Sequence, residues 1–124
     1  MVREIKITVG DVEVVAELND SVTADSIWNA LPITARANIW GDEIYFGIPV
    51  AMGEENGKEV VDLGDIAYWP PGSAFCIFFG RTPASRGDEI RPASAVNVVG
   101  KIKGAPKVFK AVSNDERIVL DKSS

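Results

Sequence analysis

Hydrophobic and polar residues alternate along most of this chain, which is the pattern of half-buried β-strands. Gly10-Asp11 separates the first two alternating runs, and this dipeptide favours a tight hairpin turn. A later run, residues 95–102, carries Gly100 inside it. A glycine within a strand is typical of a bulge or bend, of the kind that a curved sheet requires.

Residues 33–40 alternate cleanly and place Arg36 and Trp40 together on the face opposite the small and aliphatic side chains. The dipeptide at 41–42 is Gly-Asp, which predicts a turn into a second strand over residues 43–50. We therefore expect a hairpin whose first strand presents an arginine and a tryptophan outward.

Two almost entirely apolar runs, residues 66–69 and 74–79, flank the corner Trp69-Pro70-Pro71-Gly72. Proline cannot donate to a β-ladder, and Gly72 is able to take a positive φ. The pattern predicts two core strands joined by a rigid turn. It also places large aromatic rings beside that turn.

Helical spacing is confined to short stretches. Residues 23–31 predict a short helix that is capped near Ser21 or Thr23 and ended by Pro32. Residues 107–112 predict a second one. About eight short strands, one or two short helices and no strand-helix alternation argue against a parallel sheet. The expected fold is mainly β, a small closed eight-stranded antiparallel β-barrel.

Composition adds a limit on size and partners. Residues 1–124 suffice for a single domain, and 46% hydrophobic and 25% charged residues are ordinary for a globular protein. The net charge of −5 is dispersed, without the basic stripe that nucleic-acid binding needs. Residues 1–7 lack the hydrophobic region of a signal peptide, and no apolar window is long enough to span a membrane. We expect a cytoplasmic protein without nucleic-acid or membrane partners.

Most catalytic chemistries lack their residues here. The chain has no histidine and one cysteine, Cys76, which lies in an apolar run and is expected to be a buried, inert thiol. No motif predicts a cofactor, and no ligand set predicts a metal. Asp62, Asp65 and the Glu54-Glu55 pair have no obvious apolar shell that would raise a carboxyl pKa, so Asp65 is expected to anchor a loop.

The order of these elements resembles a cyclophilin, and the chain is similar to the atypical microbial cyclophilin-like family. The resemblance covers most of residues 4–120 and is carried by four segments: Trp40–Phe46, Gly64–Gly72, Phe78–Gly80 and Asn97–Ile102. It implies a cyclophilin-like barrel and, in true cyclophilins, isomerisation of the bond before proline. The position of the cyclophilin pocket histidine is Val96 here, and its pocket tryptophan falls near Arg91.

The same resemblance suggests site residues. Arg36 corresponds to the catalytic arginine, Phe79 to a phenylalanine of the proline pocket, and Tyr45 and Phe46 fall roughly where further pocket residues lie. Tyr45 and Trp69 are also binding candidates in their own right, because large amphipathic rings at strand ends often stay partly exposed.

Simpler structural roles remain open for several of these residues. Arg36 could be a surface arginine lying over Trp40. Phe75, Phe78 and Phe79 could belong to the barrel core, which is favoured for Phe75 and at least one of the others.

Two functions are compatible with these residues. The first is binding of an extended peptide or small ligand in a groove near Arg36, Trp40 and the neighbouring aromatics. The second is weak peptidyl-prolyl isomerisation, which needs no nucleophile because its slow step is rotation about an amide. A single charge-assisted bond from Arg36 contributes roughly 1.5–3 kcal/mol, or about one to two decades in rate.

Overall fold

The computed structural model describes residues 3–123, which form one continuous nine-stranded antiparallel sheet with few helices. The strands are β1 (Arg3–Val9), β2 (Val12–Leu18), β3 (Ile33–Arg36), β4 (Asn38–Trp40), β5 (Glu43–Gly47), β6 (Asp65–Trp69), β7 (Ala74–Phe78), β8 (Asn97–Ile102) and β9 (Arg117–Lys122). Their order in the sheet is β3-β9-β1-β2-β8-β6-β7-β5-β4. Because β3 and β4 are consecutive in the chain but stand at opposite ends of this order, the sheet curls into a nearly closed barrel.

The expected count of eight strands is wrong by one, because the predicted strand over residues 33–40 divides at Ala37. Its first half, β3, pairs with β9, and its second half, β4, pairs with β5. At the division the Ala37 N–H donates to the Glu116 carbonyl at 2.8 Å, and the Asp115 N–H donates to the Ala37 carbonyl at 2.7 Å. The strand thus bends from one neighbour to the other where the barrel closes.

Turn chemistry explains the two hairpins. Gly10 and Gly41 have φ values of 56° and 61°, a left-handed conformation that glycine adopts without strain. They connect β1 to β2 and β4 to β5 with Val9 opposite Val12 and Trp40 opposite Glu43. Both predicted hairpins are confirmed.

Gly100 marks a bulge, as its position in the sequence predicts. The pairing of β6 with β8 shifts register between Ile66 and Ala67, which lie opposite Gly100 and Val98. A side chain at Gly100 would overlap the carbonyl oxygen of Glu17 on β2. Only glycine allows the three strands to approach this closely.

The Trp-Pro-Pro-Gly corner is a short 3-10 helix, Pro70–Gly72, between β6 and β7. The positive φ falls on Ser73, at 47°, and not on Gly72 as the sequence suggests. Ser73 closes the turn, since its N–H donates to the Pro70 carbonyl at 3.2 Å. A second 3-10 helix occupies Pro106–Ala111, where the short C-terminal helix was expected.

The α-helix, α1 (Val22–Ala30), covers one end of the barrel. Ser21 caps it, because its hydroxyl accepts a hydrogen bond from the Ala24 N–H at 3.1 Å. Ala24 and Ile27 are fully buried against the barrel interior. Asn97, at the start of β8, donates to the Thr23 hydroxyl at 3.1 Å and fastens the helix to the sheet.

Apolar side chains are buried on both surfaces of the barrel wall around β7. The inner surface belongs to the main core, and the outer surface carries a second cluster: Val61, Ala67, Cys76, Phe78, Ile90 and Val96. All five residues of β7 are buried as a result. Residues 79–96 pack over the outside of the wall here, with Ile90 and Val96 in the second cluster. They also cover outward-pointing side chains of the adjacent strands.

Candidate ligand-binding site

A cavity of about 280 Å³ lies on the outer surface of the barrel wall, beside the second cluster. Strands β4, β5 and β6 form its floor, and the segment before β8 forms its roof. Its lining is mostly apolar and consists of Trp40, Glu43, Tyr45, Trp69, Pro92, Ala93 and Val96.

The roof is a segment without regular secondary structure, residues 79–96, held down at several points. The Asp42 N–H donates to the Arg81 carbonyl at 2.8 Å, and the Val61 N–H donates to the Ile90 carbonyl at 2.9 Å. Nearer the cavity, the indole N–H of Trp69 donates to the Ser94 hydroxyl at 2.7 Å. The Trp69–Ser94 bond connects the roof to the floor, and the other two bonds hold the roof to the β4–β5 turn and to the loop before β6.

Glu43 is a buried carboxylic acid in this cavity. Along β5, Ile44 and Phe46 point into the barrel, so Glu43 and Tyr45 point outward. Glu43 lies opposite Phe78 of β7, and only 5% of its surface is exposed. Its Oε1 atom makes no hydrogen bond to any of residues 3–123.

Burial raises the pKa of Glu43 from 4.5 to about 7, because an ionised carboxylate is poorly solvated there. The neighbouring Cys76 thiol offsets a smaller part of this effect. Near neutral pH the side chain therefore exchanges between a neutral acid and a carboxylate. It can donate or accept one hydrogen bond, or face a cation.

Cys76 is buried, as expected, with 1% of its surface exposed. Burial raises the pKa of its thiol well above the ordinary value, and the nearby Glu43 carboxyl acts in the same direction. A thiol in these surroundings is a poor nucleophile at neutral pH.

The structure brings three of the residues selected from the sequence to the cavity. Trp40, Tyr45 and Trp69 come from three different strands and supply its aromatic surface. All three side chains are half-buried. Each ring thus has one part packed on the protein and another part facing the cavity.

The other three selected residues lie elsewhere. Arg36 is exposed, its guanidinium Nη1 donates to the Asp115 carbonyl at 3.1 Å, and it does not line the cavity. Phe46 and Phe79 are 1% and 2% exposed and belong to the barrel core. The Phe46 ring stacks on Phe75 with centroids 5.5 Å apart, and the Phe79 centroid is 6.1 Å from that of Phe109. None of these three residues therefore lines the cavity.

Sequence reasoning missed Glu43 and the roof residues. One signal was present: the uninterrupted apolar run of β7 indicates a strand covered on both faces. A carboxyl directed outward from the next strand then lies under the same cover. Val96, which occupies the position of the cyclophilin pocket histidine, does line the cavity, but as an apolar side chain.

Two of the other candidate carboxylates, Asp65 and Glu55, have structural roles. Asp65 accepts a hydrogen bond from the Asp62 N–H at 2.8 Å, so it anchors the loop before β6 as predicted. Glu55 accepts hydrogen bonds from the Val22 and Thr23 N–H groups at 3.0 and 2.9 Å, and bonds to Thr23 lower its pKa.

Within residues 3–123, no three histidine, cysteine or acidic side chains are grouped to hold a metal. No helix in the same range is long and apolar enough to cross a membrane.

Comparison with known proteins agrees with this architecture. The model of the Cyclophilin-like family matches residues 3–121, and the chain therefore belongs to that family. A solved structure, that of a hypothetical protein from Archaeoglobus fulgidus, is 46% identical with a TM-score of 0.83. The match covers 98% of this chain and 95% of that one. None of the functionally curated proteins matches the chain. The resemblance proposed from the sequence is confirmed.

Proposed function

We propose that this protein binds a small, mainly apolar ligand in the cavity between the barrel wall and the segment over residues 79–96. The observation that carries the proposal is the combination of an apolar, aromatic lining with one buried carboxyl group, Glu43. Ligand sites in proteins commonly pair an apolar surface with a few polar groups that orient the bound molecule.

The volume favours a compact ligand over an extended peptide. Ligand pockets typically measure roughly 300–1,000 Å³, and this cavity lies near the lower end at about 280 Å³. It suits one ring or one branched aliphatic group. Aromatic side chains on the floor offer a large contact area with little loss of conformational freedom on binding.

Peptidyl-prolyl isomerisation is not the function that this geometry favours. The isomerase hypothesis depends on the Arg36 guanidinium forming a charge-assisted hydrogen bond to the twisting amide of a bound peptide. Arg36 does not line the cavity, and its guanidinium is bonded to a backbone carbonyl. A binding role needs no such group.

The three tryptophans allow a direct test by nuclear magnetic resonance. Trp40 and Trp69 line the cavity, whereas Trp28 lies on α1 and packs against Arg3 and Lys122. On titration with cyclohexanol or 3,3-dimethylbutan-1-ol, we expect saturable shifts of the Trp40 and Trp69 indole N–H signals and little change at Trp28.

Two substitutions provide a matched pair for this titration. Trp69→Ala should weaken probe binding, since it removes one ring from the floor, while Trp28→Ala should leave binding unchanged. Binding is refuted if the probes produce no saturable shift, or if Trp28 responds as strongly as the two cavity tryptophans.

A further inference from the structure

We propose that the ligand of this cavity is a small organic cation, an alkylated amine, bound by the rings of Trp40, Tyr45 and Trp69 together with the carboxylate of Glu43. This inference rests on the proposed function and specifies the chemical class of the ligand. Its two supports are the aromatic surface and the lack of a cationic partner for Glu43.

The aromatic residues suit a cation. The faces of tryptophan and tyrosine rings carry partial negative charge and attract ammonium groups, and tryptophan does so most strongly. The attraction increases where ring and cation are withdrawn from water. Here two tryptophans and one tyrosine share a cavity of about 280 Å³ that is open to small molecules. Alkylated ammonium groups combine a positive charge with an apolar surface, and so match both properties of the lining.

The charge of the lining also favours a cationic ligand. Glu43 is its one charged residue, and no lysine or arginine from residues 3–123 lines the cavity. Two cationic groups near the cavity have carboxylate partners of their own: Arg91 pairs with Glu89 at 2.5 Å, and Lys110 pairs with Asp42 at 3.4 Å. A buried carboxylate without a counter-charge is costly. A cationic ligand would supply that charge.

Protonation of Glu43 gives the inference a distinctive signature. A bound cation favours the carboxylate over the neutral acid, so binding lowers the Glu43 pKa from its value of about 7. Affinity for the cation should therefore rise from pH 5 to 7, with proton release, and level off above pH 7. The other titratable groups beside Glu43 are the Cys76 thiol of β7, whose pKa burial raises, and the Tyr45 hydroxyl. The lining from β4, β6 and residues 92–96 contributes no titratable side chain.

Choline and 3,3-dimethylbutan-1-ol provide the test, because they share one shape and differ in charge. Calorimetry on the intact protein at pH 8 should show that choline binds at least about tenfold more tightly than the alcohol, a difference of about 1.4 kcal/mol. Choline should also bind at least about tenfold more weakly at pH 5 than at pH 8, whereas the alcohol should show no such change.

Variants assign the preference to Glu43. Glu43→Gln keeps the size of the side chain and removes the charge. The aromatic rings still attract a cation, so the variant should lose the pH dependence of binding and most of the preference for choline. Glu13→Gln removes an exposed carboxylate of β2 outside the lining and should retain both. The pH comparison on the unaltered protein stands even if Glu43→Gln fails to fold.

Each outcome separates the two proposals. If the alcohol binds and choline does not bind more tightly, the proposal of a cationic ligand is wrong and the ligand is neutral and apolar. If neither probe binds, both the proposal of a cationic ligand and the proposed ligand-binding function are wrong. Tight choline binding that persists in Glu43→Gln, or that does not depend on pH, overturns the role of the carboxylate.

Discussion

Glu43 should make the folded protein less stable as the pH rises from 5 to 8. Its pKa is about 7 when folded, against an ordinary value of 4.5. Well below pH 4.5 the side chain is neutral in both states, and the stability associated with its protonation is fully present. As the pH rises the unfolded chain ionises first, so that stability is progressively lost and is gone above about pH 7.

The size of this effect follows from the two pKa values. Linkage between protonation and folding gives a loss of about 2–3 kcal/mol in the free energy of unfolding between pH 5 and 8. Glu43→Gln is neutral at every pH and lacks this loss. The free energy of unfolding of the variant should therefore rise by about 2–3 kcal/mol relative to that of the wild type over that range, whatever its value at pH 5.

Urea unfolding at pH 5, 6, 7 and 8 measures the difference directly. Glu55 and Glu89 have lowered pKa values, so their stabilisation is lost at more acidic pH and changes little in this window. Glu13→Gln, at an exposed position of β2, is the control and should run parallel to the wild type. If the wild type and Glu43→Gln also run parallel, within about 0.5 kcal/mol, the reasoning about the buried carboxyl is refuted.

Three further predictions concern the barrel itself. Asn97→Ala should lower the free energy of unfolding, measured in urea, by about 2–4 kcal/mol, because Asn97 is 1% exposed and makes hydrogen bonds to three groups. The control Asn29→Ala, at an exposed position, should cost under about 0.5 kcal/mol. Equal losses in the two variants would contradict this prediction. Gly100→Ala should cost about 1–3 kcal/mol, because the methyl group meets the Glu17 carbonyl, whereas Gly47→Ala has open space. A harmless Gly100→Ala would contradict the close approach of β2 and β8. Cys76 should react with an aromatic disulfide far more slowly in the native protein than in denaturant, and similar rates would show that the thiol is accessible.

Local sequence signals determined most of the elements. The Gly10 and Gly41 turns, the Ser21 cap and the bulge at Gly100 each depend on the conformational preferences of a few neighbouring residues. Alternation likewise placed Trp40 outward, because side-chain direction in a strand repeats every two residues. The antiparallel barrel and three aromatic residues of the cavity could therefore be predicted from the sequence.

Tertiary structure decided the rest. The division of one strand at Ala37 depends on where the sheet closes, which no local pattern specifies. Arg36 and Trp40 alternate onto one face, yet only Trp40 reaches the cavity. Most importantly, Glu43 occupies an outward strand position, where a carboxylate is ordinarily solvated. Glu43 is buried, and its pKa is raised, because residues 92–96, about 50 positions later in the chain, pack over the barrel wall. This burial depends on a distant contact and not on neighbouring residues.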